Sequence, residues 1–236
     1  MLRVQNLTVV YPDRTKAIDG VSLAAGKGEN IALIGGNGAG KTSLLLAMVG
    51  VLEKADGTIE IDGIQLTKKT ISEIRKKIGL VFQNPDDQLF MPVVFDDVAF
   101  GCRNFGLQED IVRTRVDETL NQLNISQLRS RSSLKLSEGE KRMAAIATVL
   151  AMEPSVLLFD EPTAFLDHRA RRLLIETLKK LNHTKIVVTH DMGFAAEVCD
   201  RVIILMNGRI AADGALALLR DRELMQNYGL EAITGG

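Results

Sequence analysis

The chain has 236 residues, 46% hydrophobic and 25% charged, as expected of a soluble protein that buries its core without disulfides or a structural metal. Twenty-nine basic and thirty acidic residues leave a formal charge of −1, so no global positive field points to a nucleic-acid partner. No apolar run approaches the roughly 20 residues of a membrane helix, the first residues lack a signal-peptide layout, and Cys102 and Cys199 read as reduced structural thiols. An intracellular protein is expected, one that serves a membrane only through a partner.

In chain order, Leu2, Val4, Leu7 and Val9 alternate loosely and predict a strand. Residues 31–34 form a short apolar strand, and 41–49 read as a helix entered through glycines. Residues 58–61 and 78–82 are further strand candidates. From about 86 to 134 the pattern turns helical, with Ile111, Val112, Val116, Leu120 and Leu123 near helical spacing. An Ala- and Met-rich helix spans 140–152, and buried-type strands at 156–159 and 186–189 flank a helix over 168–181. The tail predicts a hairpin (202–205 with 209–211) and a closing helix over 215–219. Short apolar runs separated by helices imply an α/β protein, with a mostly parallel sheet covered on both faces.

Gly35, Gly36, Asn37, Gly38, Ala39, Gly40, Lys41 and Thr42 follow the second strand, open a helix and fit GxxxxGK[ST]. The glycines let successive backbone N–H groups turn toward phosphate oxygens, and the helix N-terminus adds partial positive charge. Lys41 can reach the outer phosphates of a bound nucleotide, and the Thr42 hydroxyl can ligate Mg²⁺. The apolar strand 156–159 runs into Asp160 and Glu161. Asp160 is placed to hold Mg²⁺ and Glu161 to orient and deprotonate an attacking water, which makes ATP hydrolysis the expected chemistry. Gln83 and His190 also end predicted strands, where open α/β sheets bind ligands. Gln83 could reach Mg²⁺ and water, and His190 the γ-phosphate.

Taken in order, these residues resemble the ATP-binding subunit of ABC transporters along nearly the whole chain. The resemblance adds a signature loop at Leu136-Ser-Glu-Gly-Glu140, a turn at Ala164-Phe-Leu-Asp167, and an aromatic, Tyr11, where the family stacks a ring on adenine. It implies a RecA-like P-loop core with an antiparallel β subdomain, formed by residues 1–85 and 153–236. Residues 86–152 would be an inserted helical subdomain within the single 1–236 domain. It also implies that ATP contacts Ser43. Ser137 and Gly139 would touch the γ-phosphate of ATP on a second ATPase subunit, identical or not, with Asp167 linking the two sites. The active site is then composite. The family normally carries Leu-Ser-Gly-Gly-Gln, so Glu138 and Glu140 are departures, and Glu138 is expected to face solvent, Lys141 or Arg142.

Residues 81–90 (Val-Phe-Gln-Asn-Pro-Asp-Asp-Gln-Leu-Phe) and 94–101 are most similar to the ATPases of energy-coupling-factor importers for cobalt and nickel. The resemblance implies an integral membrane partner docked near Gln83 to Gly101, with Leu89, Phe90, Met91, Val93 and Phe95 as an apolar cluster. It places the chain on the cytoplasmic face of the membrane. Another ABC branch would share the chemistry. A soluble ABC ATPase acting on DNA or ribosomes usually adds a second cassette or a coiled coil, and a P-loop kinase would not explain residues 136–140 or His190.

Overall fold

The computed structural model describes residues 1–233. Strand β1 (Leu2–Val10) pairs antiparallel with both β2 (Lys16–Ala25) and β4 (Asp56–Ile61), and β4 pairs with the short β5 (Ile64–Gln65). The loose alternation of β1 has a local cause. Asn6 takes a left-handed backbone, with φ 48°, and the register shifts between Val4 and Leu7. This bulge changes the phase, so Leu2 and Val4 before it and Leu7 and Val9 after it all face the core.

The second sheet has the order β10-β9-β3-β8-β7-β6. Strands β3 (Asn30–Ile34), β6 (Ile78–Val81), β7 (Val156–Asp160), β8 (Thr184–Val188) and β9 (Arg201–Met206) run parallel, and β10 (Arg209–Ala215) closes the edge antiparallel to β9. Its central strands are buried on both faces, which is why they read as unbroken apolar runs. Ile31, Leu33, Leu158 and Ile186 pack with α1 (Lys41–Met48) and the antiparallel sheet. Ala32, Leu157, Phe159 and Val187 pack on the other side, in the core shared with the helices between β6 and β7. These are α3 (Val94–Asn104), α4 (Glu109–Gln122) and α5 (Glu138–Leu150). The result is the expected α/β architecture: a parallel sheet covered on both faces, beside an antiparallel one.

Several expectations need correction. The tail forms a 3-10 turn (Leu216–Arg220) where a closing helix was predicted, and the helix follows as α8 (Arg222–Asn227). Helix α5 begins at Glu138 because Ser137 caps it through a capping box with Glu140. Ile111 is 43% exposed, one position off the buried stripe of Val112, Val116 and Leu120. Helices α2 (Ile71–Lys77), α6 (His168–Lys180) and α7 (Met192–Val198) complete the chain. Of these, α2 and α7 have no sequence expectation behind them.

Candidate nucleotide site

Because β3, β6, β7 and β8 are parallel, their carboxyl ends share one edge of the sheet, and the loops leaving them converge there. After β3, residues 35–40 turn tightly into α1. Gly40 has φ 102°, and a Cβ there would collide with the Ala17 carbonyl oxygen; at Gly35 it would collide with that of Leu205. Both obstacles are backbone atoms that cannot move aside, so only glycine fits. Lys41 Nζ donates to the Gly35 and Gly36 carbonyl oxygens at 2.8 and 3.0 Å. Burial lowers the Lys41 pKa, while the carboxylates of Glu161 and Asp160 oppose that shift.

Strand β7 delivers two acids. The Thr42 hydroxyl donates to Asp160 Oδ2 at 2.9 Å. Burial raises the Asp160 pKa and the Glu161 charge adds to it, against the Thr42 hydrogen bond and Lys41. Glu161 takes a left-handed backbone, φ 44°, and its N–H donates to the Val188 carbonyl at 2.9 Å. Glu161 Oε2 lies 2.8 Å from His190 Nδ1 and accepts the His190 backbone N–H at 3.2 Å. The His190 ring is otherwise exposed, and Asp191 caps α7 just after it, accepting from Phe194 N at 2.8 Å.

One cavity of about 520 Å³ gathers Tyr11, Asn37, Gly38, Ala39, Gly40, Lys41, Thr42, Ser43, Gln83, Asp160, Glu161 and His190. The Tyr11 hydroxyl meets Ser43 Oγ at 3.0 Å. Gly35 and Gly36 are not among its lining residues; their carbonyl oxygens accept from Lys41. Thr15, Lys16, Ala17 and Val188 also line it and were not anticipated. The first three depend on where β2 begins, which the sequence does not mark. The pair of a buried carboxylate and a hydroxyl, with the Gln83 amide on the same wall, is a hard-oxygen donor set that fits Mg²⁺.

Ser137, Gly139 and Asp167 do not line this cavity. Ser137 Oγ donates to Glu140 Oε2 at 3.0 Å, and Arg131 holds the other oxygen of that carboxylate at 2.9 Å. The Ser137 backbone N–H, chief among these contacts, keeps the Glu140 pKa low against partial burial. Asp167 caps α6 by accepting from Ala170 N at 2.7 Å, and a Cβ on Gly139 would press against Ala170. Glu138 turns to Lys141 at 3.3 Å, and Lys141 also pairs with Asp86 at 2.8 Å.

Of the apolar cluster expected around 89–95, only Phe90 lines a surface groove. Leu89 is buried in the core, and Phe95 stacks with Arg129, whose guanidinium carbon is 4.2 Å from the ring centre. The groove, of about 520 Å³, is instead walled by Phe90, Phe100, Phe105, Val51 and Met152. Phe90 and Phe100 meet edge to face at 4.9 Å and are 61% and 40% exposed.

Residues 18–164 match the family model described as ABC transporter. The chain belongs to that family. This ABC-type ATPase is 44% identical to the energy-coupling factor transporter ATP-binding protein EcfA of Carboxydothermus hydrogenoformans, over 98% of its own length and 87% of the relative's. Among solved structures it resembles CbiO1 of Clostridium perfringens, described as part of the ABC transporter complex CbiONQ. The TM-score is 0.83 at 39% identity, covering 96% of this chain and 93% of that one. It also resembles an ATP-binding cassette solved as a dimer in a post-hydrolysis state with ADP and Pi. There the TM-score is 0.80 at 28% identity, with coverage of 92% and 99%.

Proposed function

We propose that this ATP-binding subunit energises an energy-coupling-type importer carrying cobalt or nickel ions. The observation that carries the reading is the cavity joining residues 37–42 to Asp160, Glu161, Gln83 and His190. The importer branch is supported by likeness to EcfA and CbiO1, and the metal cargo by the resemblance of residues 84–90.

In this reading the 35–42 loop and Lys41 cradle the ATP phosphates, with Tyr11 and Ser43 at the nucleoside side. Glu161 takes the proton of the attacking water, and His190 holds that carboxylate in place and faces the γ-phosphate. Mg²⁺, held by Thr42, Asp160 and Gln83, would neutralise charge on the phosphate oxygens. Ser137, Gly139 and Asp167 lie outside this cavity because they complete the site of a second ATPase subunit in a head-to-tail pair. Residues 86–152 form the helical subdomain between the two parts of the core. The Phe90–Phe100 groove receives the membrane subunit, which keeps the chain at the cytoplasmic face. Among the described residues no helix is long and apolar enough to cross a membrane.

Purification from membranes tests the reading: a small integral membrane protein should accompany the chain, and recovery with ribosomes or DNA instead would overturn it. The complex in vesicles should then drive ATP-dependent uptake of Co²⁺ or Ni²⁺. Uptake of a vitamin or another solute in their place would move the chain to a different transporter branch.

A further inference from the structure

The loop that carries Gln83 is fastened to α5 by a buried cation. Arg142 is 1% exposed, and its Nη1 and Nη2 donate to the Phe82 and Gln83 carbonyl oxygens, both at 2.6 Å. Its Nε is buried without a hydrogen-bond partner. Burial lowers its pKa to about 10, with the Glu138 charge opposing the shift. Enclosing a guanidinium this way is costly, and an apolar side chain of similar volume would pack at less expense. What an apolar residue cannot do is fix two successive carbonyls with one rigid fork.

Those carbonyls lie on either side of the Gln83 α-carbon, and Gln83 lines both the nucleotide cavity and the adjoining cleft beside Glu138 and Phe165. The preceding residue, Lys141, reinforces the link by bridging Glu138 of α5 and Asp86 of the loop. The start of α5 is therefore fastened to the Gln83 loop through two neighbouring residues.

We propose that Arg142 is a positioning residue for Gln83, locking the Gln83 loop to the helix turn that presents Ser137 and Gly139. The proposal rests on the reading of Gln83, Ser137 and Gly139 as parts of the ATP sites. It predicts that a shift at either end is felt at the other, so that hydrolysis depends on the fork and not only on packing.

The test is a double-mutant cycle on the full chain with ATP and Mg²⁺. Arg142→Met should lower kcat about tenfold or more by misplacing Gln83. KM for ATP should stay within about twofold, because the 35–42 loop is untouched. In a Gln83→Ala background the same substitution should add little. Independent, multiplying losses would overturn the proposal, as would a raised KM with unchanged kcat. If Arg142→Met does not unfold cooperatively, the same cycle is run with Arg142→Lys, whose single ammonium cannot form the fork. A Gln83→Ala variant with parental kcat would remove Gln83 from the site and take the Arg142 assignment with it.

Discussion

Glu161 and His190 hold each other through two contacts on one carboxylate oxygen, the ring nitrogen at 2.8 Å and the backbone N–H at 3.2 Å. The side chain read as the base is thus held by the loop that follows the neighbouring strand, β8. Glu161→Gln should lower phosphate release about 100-fold or more, and gel filtration with ATP and Mg²⁺ should show a trapped pair. A variant that stays monomeric under conditions where the parent hydrolyses ATP would sink the composite site. His190→Ala should slow release about tenfold or more by leaving Glu161 loosely held.

Thr42 and Asp160 form the candidate magnesium ligands, joined at 2.9 Å. Thr42→Val removes the hydroxyl and leaves the buried Asp160 carboxylate without that donor. The Mg²⁺ concentration for half-maximal hydrolysis should rise about tenfold or more. Chelation with EDTA should abolish hydrolysis of the parent, and added Mg²⁺ should restore it. Normal magnesium dependence in Thr42→Val would exclude the hydroxyl as a ligand.

Glu138 stands where the family places glycine, yet Lys141 holds it at 3.3 Å and α5 begins at that residue. A carboxylate is favourable at a helix N-terminus and is here directed to a cation. Glu138→Gly should therefore change the ATPase rate by less than about tenfold, or about 1.4 kcal/mol. A larger gain would mean that the carboxylate opposes bound ATP.

Asp191 links the His190 loop to α6, with Arg171 donating to its carboxylate at 2.8 and 3.1 Å. Burial alone would raise its pKa, but the Arg171 hydrogen bond and the Phe194 N–H outweigh it, so the folded value is depressed. A depressed folded pKa gives stability that is present above the unfolded value of about 3.9 and is lost as pH falls through the folded one. Asp191→Ala should cost about 1 kcal/mol at pH 7 through the lost cap alone. The gap between parent and variant in urea unfolding should close in strong acid. A gap independent of pH would contradict this assignment.

The site was legible where chemistry forces residue type. Gly35 and Gly40 of the 35–42 loop face backbone walls, and Asp160 and Glu161 stand where an apolar strand ends, so sequence and geometry carry the same information there. The 3-10 turn at Leu216–Arg220 defeated the helix expectation because its apolar residues serve the core without a full helical period. Strand β2 stayed hidden because Asp19 and Gly20 break its alternation, and with it went Thr15, Lys16 and Ala17 at the cavity wall. The capping box of Ser137 and Glu140 has the Ser-x-x-Glu spacing that marks a helix start, which puts the beginning of α5 two residues before Glu140. The groove differed most. A run of apolar residues at 89–95 does not reveal that Leu89 turns inward, nor that Phe100, a turn further on, faces out.

The left-handed backbone of Glu161 carries a cost that its contacts conceal. An L side chain at φ 44° is disfavoured by about 1–2 kcal/mol relative to glycine. Glu161→Gly should therefore relieve that strain and raise the melting temperature while silencing hydrolysis. With Glu161 as the base, a more robust fold and faster turnover would make opposite demands on this position.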